Sequence, residues 1–197
     1  MADLDPKDAL LFYLRMARTA VVWKLEGLSE YDVRRPLVPS GTNLLGLIKH
    51  LATTEILYLG VPFGRRFPEQ LPWLSRNAEP NADLWAKPDE TREAILGLYE
   101  RANAHCDATI ARFPLDAWVS IPWWAEGGAG TTLQRILVHL IAETNRHAGH
   151  ADIVRELVDG AIGLHQRNSN IWGQHELTTH RTRVEAAAKA AGHSPDL

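Results

Sequence analysis

Apolar residues recur at steps of three and four along four stretches of this 197-residue chain, and no run alternates apolar with polar as a half-buried strand does. That periodicity commits the chain to helices, each needing a partner for one face. The first stretch starts at Asp5-Pro6, with Asp8 in its first turn, the pattern of a helix N-terminus. Leu10, Leu14, Ala17, Val21, Leu25 and Leu28 carry it for about six turns. The second follows a break from Arg35-Pro36 to Gly41, is capped by Thr42 or Asn43, and runs through Leu44, Leu47, Ile48, Leu51 and Tyr58 to Gly60. The third starts at Lys87-Pro88-Asp89-Glu90 and passes Ile95, Leu98, Ala102 and Ile110 before Pro114. The fourth runs from a Thr131 or Thr132 cap to Gly160.

Four long amphipathic helices predict an all-α fold, a four-helix bundle. Residues 61–87 are rich in Pro, Arg and Trp and lack a period. They read as a long irregular connection whose length permits a crossover between the second and third helices. Trp118 to Gly130 is too broken for regular structure, and no strand is expected. Residues 1–160 form the bundle. Residues 161–197 form an appended C-terminal segment of the same domain, helical over its alanine-rich part at 184–191 and frayed over its last residues.

Composition narrows the partners. Apolar content of 45% and a formal net charge of -3 describe an ordinary soluble chain, and no basic block points to nucleic acid. No apolar run approaches the ~18 residues of a membrane span. The acidic N-terminus, Met-Ala-Asp-Leu-Asp-Pro-Lys-Asp, lacks a signal-peptide core, so a cytoplasmic protein is expected. The single cysteine, Cys106, excludes an internal disulfide and reads as a small hydrophobe on a helix.

The fourth stretch carries the chemistry. His139, Glu143, His147 and His150 fall within an arc of roughly 80°. That arc also holds Ile136, Leu140, Val154 and Leu157, the stripe expected to face a core. Burying one polar group unpaired costs about 1–3 kcal/mol, so four together need partners, and a metal ion is a suitable one. Glu143 and His147, one turn apart, reach a single ion. A third ligand comes from a facing helix, where His50 borders the face of Leu47 and Leu51; Glu55 is placed as an outer group. His50, Glu143 and His147 make a two-histidine, one-carboxylate set suited to zinc, ferrous iron or nickel. His139 and His150 then sit above and below the ion as orienting groups, substrate contacts, or a ligand in place of Glu143. The histidines at 105, 165, 175, 180 and 193 read as surface or loop residues.

The run Asn43-Leu-Leu-Gly-Leu-Ile-Lys-His50-Leu51 and the run Val138-His139-Leu-Ile-Ala-Glu143-Thr-Asn-Arg-His147-Ala-Gly-His150-Ala-Asp152 resemble the DinB-like superfamily. These are metal-binding four-helix bundles that include mycothiol-dependent maleylpyruvate isomerase and the bacillithiol transferases. The resemblance spans roughly Leu10 to Gly160, and its second run looks like a branch found largely in actinobacteria that reads Glu-Thr-x-Arg-His-Ala-Gly-His-x-Asp. It implies His50, Glu143 and His147 as metal ligands, with Glu143 where most of the superfamily has histidine. His150 falls where the superfamily often has Gln, which argues against its being a ligand. The resemblance further implies zinc or nickel, a homodimer, and a low-molecular-weight thiol as cosubstrate.

On that basis the expected function is metal-dependent activation of a thiol for transfer or isomerisation of a small molecule, with His150 and His139 moving protons. Trp123, Trp124 and Trp73 are candidate walls for an apolar electrophile, or plain packing under long loops. A metal-dependent hydrolase and a non-catalytic metal-binding stress protein are the alternatives.

Overall fold

The structure is a computed structural model that describes residues 5–124, 130–165, 167–169 and 177–192. It is mostly helical, with four long helices and two shorter or peripheral ones among the described residues. α1 (Pro6–Trp23) starts with Asp5 accepting from the Lys7 amide at 2.9 Å. It stops a turn before the expected Leu28. The reason lies on another helix: the Arg155 guanidinium donates to the Lys24 and Glu26 carbonyls at 2.9 and 2.8 Å, satisfying carbonyls the helix leaves open. Gly27, at φ 74°, then turns the chain. A short α2 (Glu30–Arg34), capped by Ser29, follows where no helix was expected.

α3 (Leu44–Leu59) takes Asn43 as its cap, deciding between the two expected residues. α4 (Arg92–Arg112) begins later than expected, because Thr91 accepts from the Ala94 amide and starts the helix there, leaving Lys87 to Glu90 as a separate turn. The connection between α3 and α4 contains two single 3-10 turns, Val61–Phe63 and Pro72–Leu74, and is otherwise irregular. α5 (Leu133–Asp159) is capped by Thr132 and ends at Gly160 in the left-handed region, as its spacing predicts.

Contrary to expectation there is a small ribbon: β1 (Trp118–Ser120) pairs antiparallel with β2 (Gly130–Thr132) just before α5. Three-residue strands are too short for alternation to be legible. α6 (Leu177–Gly192) covers the alanine-rich segment and buries none of its residues. Residues 193–197, expected to fray, lie outside the described residues.

The long helices pack α1 on α5 and α3 on both α4 and α5. α3 is the core helix, with all but two of its residues buried. Against the expectation from sequence, the stretch Leu44–Phe63 is long and apolar enough to cross a membrane, but 83% of it is buried inside the fold. One apolar cluster joins Leu44, Leu45, Ile48 and Leu51 to Tyr99, Ala102, Ala151 and Val154. A second joins Leu59 to Ile110, Ile121, Leu133, Ile136 and Leu137. Fully burying each such Leu or Ile contributes about 1.5–3 kcal/mol. On α5, Glu143 and His147 fall between the stretches that feed these two clusters, whereas on α3 His50 lies within the stretch that feeds the first.

Candidate metal centre

The positions of the polar groups begin with the first turn of α3. The Asn43 side-chain amide donates to the Leu84 carbonyl at 3.1 Å while its oxygen accepts from the Gly46 amide at 2.8 Å. A Cβ at residue 46 would overlap the Leu84 carbonyl, so only glycine lets the long loop lie this close. Lys49, buried, donates to the Ala82 and Trp85 carbonyls at 2.8 and 3.0 Å and pairs with Glu90 at 2.8 Å. The loop so pinned delivers Asp83, whose Oδ2 lies 2.7 Å from His50 Nδ1.

With Nδ1 donating to Asp83, the His50 Nε2 lone pair turns toward α5. There Glu143 Oε1 lies 3.5 Å from His50 Nε2 and 3.0 Å from His147 Nε2. The three donor atoms all fall within 4.8 Å of one another. The two rings meet edge to face at 4.8 Å between centroids. Side-chain exposures of 21% for His50, 26% for Glu143 and 13% for His147 leave the group accessible from solvent on one side.

Electrostatics divide the two imidazoles. Burial pulls the His50 pKa down, but the hydrogen bond and charge of Asp83, then Glu143, outweigh it and hold it above the ordinary value. Burial and the charge of His50 lower His147 despite Glu143. Burial raises Glu143, but His147 and His50 together hold it below the usual carboxylate value. One carboxylate shared by two imidazoles, each with a nitrogen aimed at the same spot, fits a divalent ion of the zinc, nickel or ferrous type.

Several sequence expectations need correction. The quartet does not lie on the centre of the buried face: at 100° per residue it lies about 35–115° to one side of it, with His147 nearest. Leu157, expected in the core stripe, is 58% exposed. His150 is exposed, its Nδ1 3.4 Å from His147 Nδ1. His139 is half-buried and packs on the Tyr58 and Trp124 rings at 4.8 and 5.4 Å. The three-residue group includes neither of them. Glu55 is not an outer group of the site: it is fully buried and paired with Arg18, which also bonds Asp107 at 2.7 Å. Trp73 lines a cavity of about 250 Å³ with Lys49, Asn77 and Glu79, apart from the ligand set. His105 is half-buried on α4, its Nε2 2.9 Å from the Arg65 carbonyl, so it holds the long loop rather than facing solvent. His165 and His180 are exposed; His175 and His193 lie outside the described residues.

Asp83, which holds the His50 ring, was not expected from the sequence. It sits in a loop without periodicity, and the only signal for it is the need of a metal-binding histidine for an acceptor at its other nitrogen. Thr54, one turn beyond His50, places its Oγ1 3.4 Å from the same ring's Nε2.

Cys106 is the expected buried residue on α4, and burial beside Glu55 pushes its thiol well above the ordinary value. It supplies no thiolate to the site.

The family described as Mycothiol-S-transferase matches residues 9–160, which include all four long helices almost whole and every residue of the His50–Glu143–His147 group. The chain belongs to this DinB-like family. No curated protein and no solved structure matches it. Membership in a family of thiol transferases implies a small-molecule substrate.

Proposed function

We propose that this chain is a metal-dependent enzyme that transfers a low-molecular-weight thiol, of the mycothiol type, to a small electrophile. The observation that carries the reading is the convergence of His50, Glu143 and His147 from two helices on one solvent-accessible point. These three residues would hold the ion, zinc in the first instance, with nickel or ferrous iron as alternatives. A bound divalent ion supplies the positive charge that lowers a thiol's pKa, so that thiolate exists at neutral pH.

The chain's own residues do the rest. Asp83 fixes the His50 tautomer and ring orientation through the 2.7 Å bond to Nδ1. Glu143 brings one negative charge against the ion's two, so the site retains a positive charge that favours an anionic partner. In the transfer the thiol loses its proton, sulfur bonds to the electrophilic carbon, and the leaving group departs with its bonding pair. His150 and His139, on either side of the ligand set along α5, are the proton carriers in this reading. The chain's own thiol is buried and inert, which supports an external thiol as nucleophile. Three donors with an open side suit a reactive centre, whereas structural zinc sites are closed by four.

The reading includes a four-helix bundle over residues 1–160 with the 161–197 segment appended, a crossover in the α3–α4 connection, a homodimer and a cytoplasmic setting. It is tested by loading the full chain with zinc and assaying transfer of mycothiol to a chromogenic electrophile. Metal-dependent transfer above the uncatalysed rate supports it. Ester or amide hydrolysis without thiol would move the hydrolase reading ahead.

A further inference from the structure

Beyond the ligand set, α3 and α5 present a second group of side chains, of which the proposed transfer uses His139 alone. On α3, His50, Thr54 and Tyr58 follow one another at steps of four; on α5, His147, Glu143 and His139 do the same in the opposite chain direction. The two rows face each other. The His50 and His147 rings are 4.8 Å apart at one end, and the Tyr58 and His139 rings are 4.8 Å apart at the other. Eight residues of helix separate the ends by about 12 Å.

The far end is closed by the segment after β1. Trp123 stands edge to face on Tyr58 at 5.4 Å, and Trp124 meets His139 edge to face at the same distance. The Trp124 indole N–H donates to the Tyr58 hydroxyl at 2.8 Å, which locks both rings. Tyr58 is buried, but Trp123 is 48% exposed. A large aromatic left half in water, beside rigid rings at the far end of the helix rows that carry the donor set, offers a face to a ligand.

We propose that Tyr58, Trp123, Trp124 and His139 form the acceptor subsite and select flat, conjugated, electron-poor electrophiles that are neutral or anionic. The proposal rests on the thiol-transfer reading for its chemistry. Indole and phenol faces carry negative charge density, so they attract electron-poor rings. A cation would be attracted too, but the Arg135 guanidinium already stands 5.0 Å from the Trp124 ring centroid and repels a second one. Thr54 on α3 and Glu143 on α5 lie between the two ends of the facing rows.

The test separates binding from chemistry. Calorimetry on the zinc-loaded full chain uses 1,3-dinitrobenzene, which has no leaving group, and the flat cation N-methylpyridinium. The expected result is binding of dinitrobenzene, weakened about five- to tenfold by Trp123→Ala and partly restored by Trp123→Phe, with zinc content unchanged. N-methylpyridinium binds more weakly than dinitrobenzene. Equal binding of dinitrobenzene by wild type and Trp123→Ala, no binding at all, or preference for the cation overturns the subsite. A kinetic arm uses 1-chloro-2,4-dinitrobenzene, from which sulfur displaces chloride, against iodoacetamide. Trp123→Ala raises KM for the first and leaves the second unchanged; equal effects on both also overturn the subsite. Dinitrobenzene binding as expected in a protein that transfers no thiol leaves the subsite standing and refutes the functional reading.

Discussion

Replacing Asp83 by alanine removes the acceptor at His50 Nδ1, and the geometry of that bond bounds the effect on metal affinity. The bond is 2.7 Å long and joins a carboxylate to an imidazole. Net hydrogen bonds to charged groups contribute about 1.5–3 kcal/mol. His50 and Asp83 keep 21% and 26% of their side-chain surface exposed, which favours the lower half of that range. The expected loss is about ten- to thirtyfold in metal affinity, within the usual span for groups that orient a ligand. Asp83→Asn keeps a neutral acceptor and loses less.

The pH profile sharpens the test. His50 has its pKa raised by Asp83, so in the metal-free protein its stabilising contribution is complete below about pH 6.5 and is lost as pH rises through the folded value. Metal must displace that proton. Removing Asp83 lowers the His50 pKa and relieves the competition, so the deficit of Asp83→Ala is largest near pH 8 and shrinks toward pH 6. Competition against a chelating dye across this range measures it. Wild-type affinity in Asp83→Ala at pH 8 would refute the assignment of Asp83 as the residue that orients His50.

Three further outcomes follow from the packing. Gly46→Ala pushes the Leu84 carbonyl away and carries Asp83 with it, so it lowers metal affinity about tenfold although residue 46 touches no ligand; unchanged affinity contradicts the role given to the loop. Glu55→Ala leaves Arg18 buried with only Asp107 and costs about 3 kcal/mol, a fall in Tm of roughly 6–12 °C, while metal stoichiometry is preserved; a Tm within about 2 °C of wild type contradicts it. Deleting residues 177–197 removes a helix that buries nothing, and Tm by circular dichroism should stay within about 1 °C of wild type.

The helices were legible because their signals are local. Steps of three and four, the Asn43, Thr132 and Gly160 caps, and Pro6 all act within a turn or two of their own position. The expectations that failed depend on distant residues. α1 ends early because of Arg155 on α5, and the ribbon forms because residues 118–120 and 130–132 meet across a gap in sequence. At the site, the meeting of His50 with Glu143 and His147 was legible because Glu143 and His147 stand one turn apart beside apolar neighbours and His50 borders the apolar face of a second helix. The rotation of the α5 pair toward the edge of the buried face was not, since the α5 stripe does not reveal that Thr144 and Ala148 are buried while Leu157 is not. Asp83 was illegible for a simpler reason: an acid in an irregular loop looks like any solvated acid until Gly46 and Lys49 fix where the loop lies.

The central claim is that His50, Glu143 and His147 together bind one divalent ion. Elemental analysis of purified full-length protein, after equilibration with zinc and desalting, tests it in five variants beside the wild type. Wild type, His139→Ala and His150→Ala should each retain about one ion per chain, because none of them removes a direct bond. His50→Ala, Glu143→Ala and His147→Ala should each lose most of it. Full occupancy in Glu143→Ala together with loss in His150→Ala would contradict the claim.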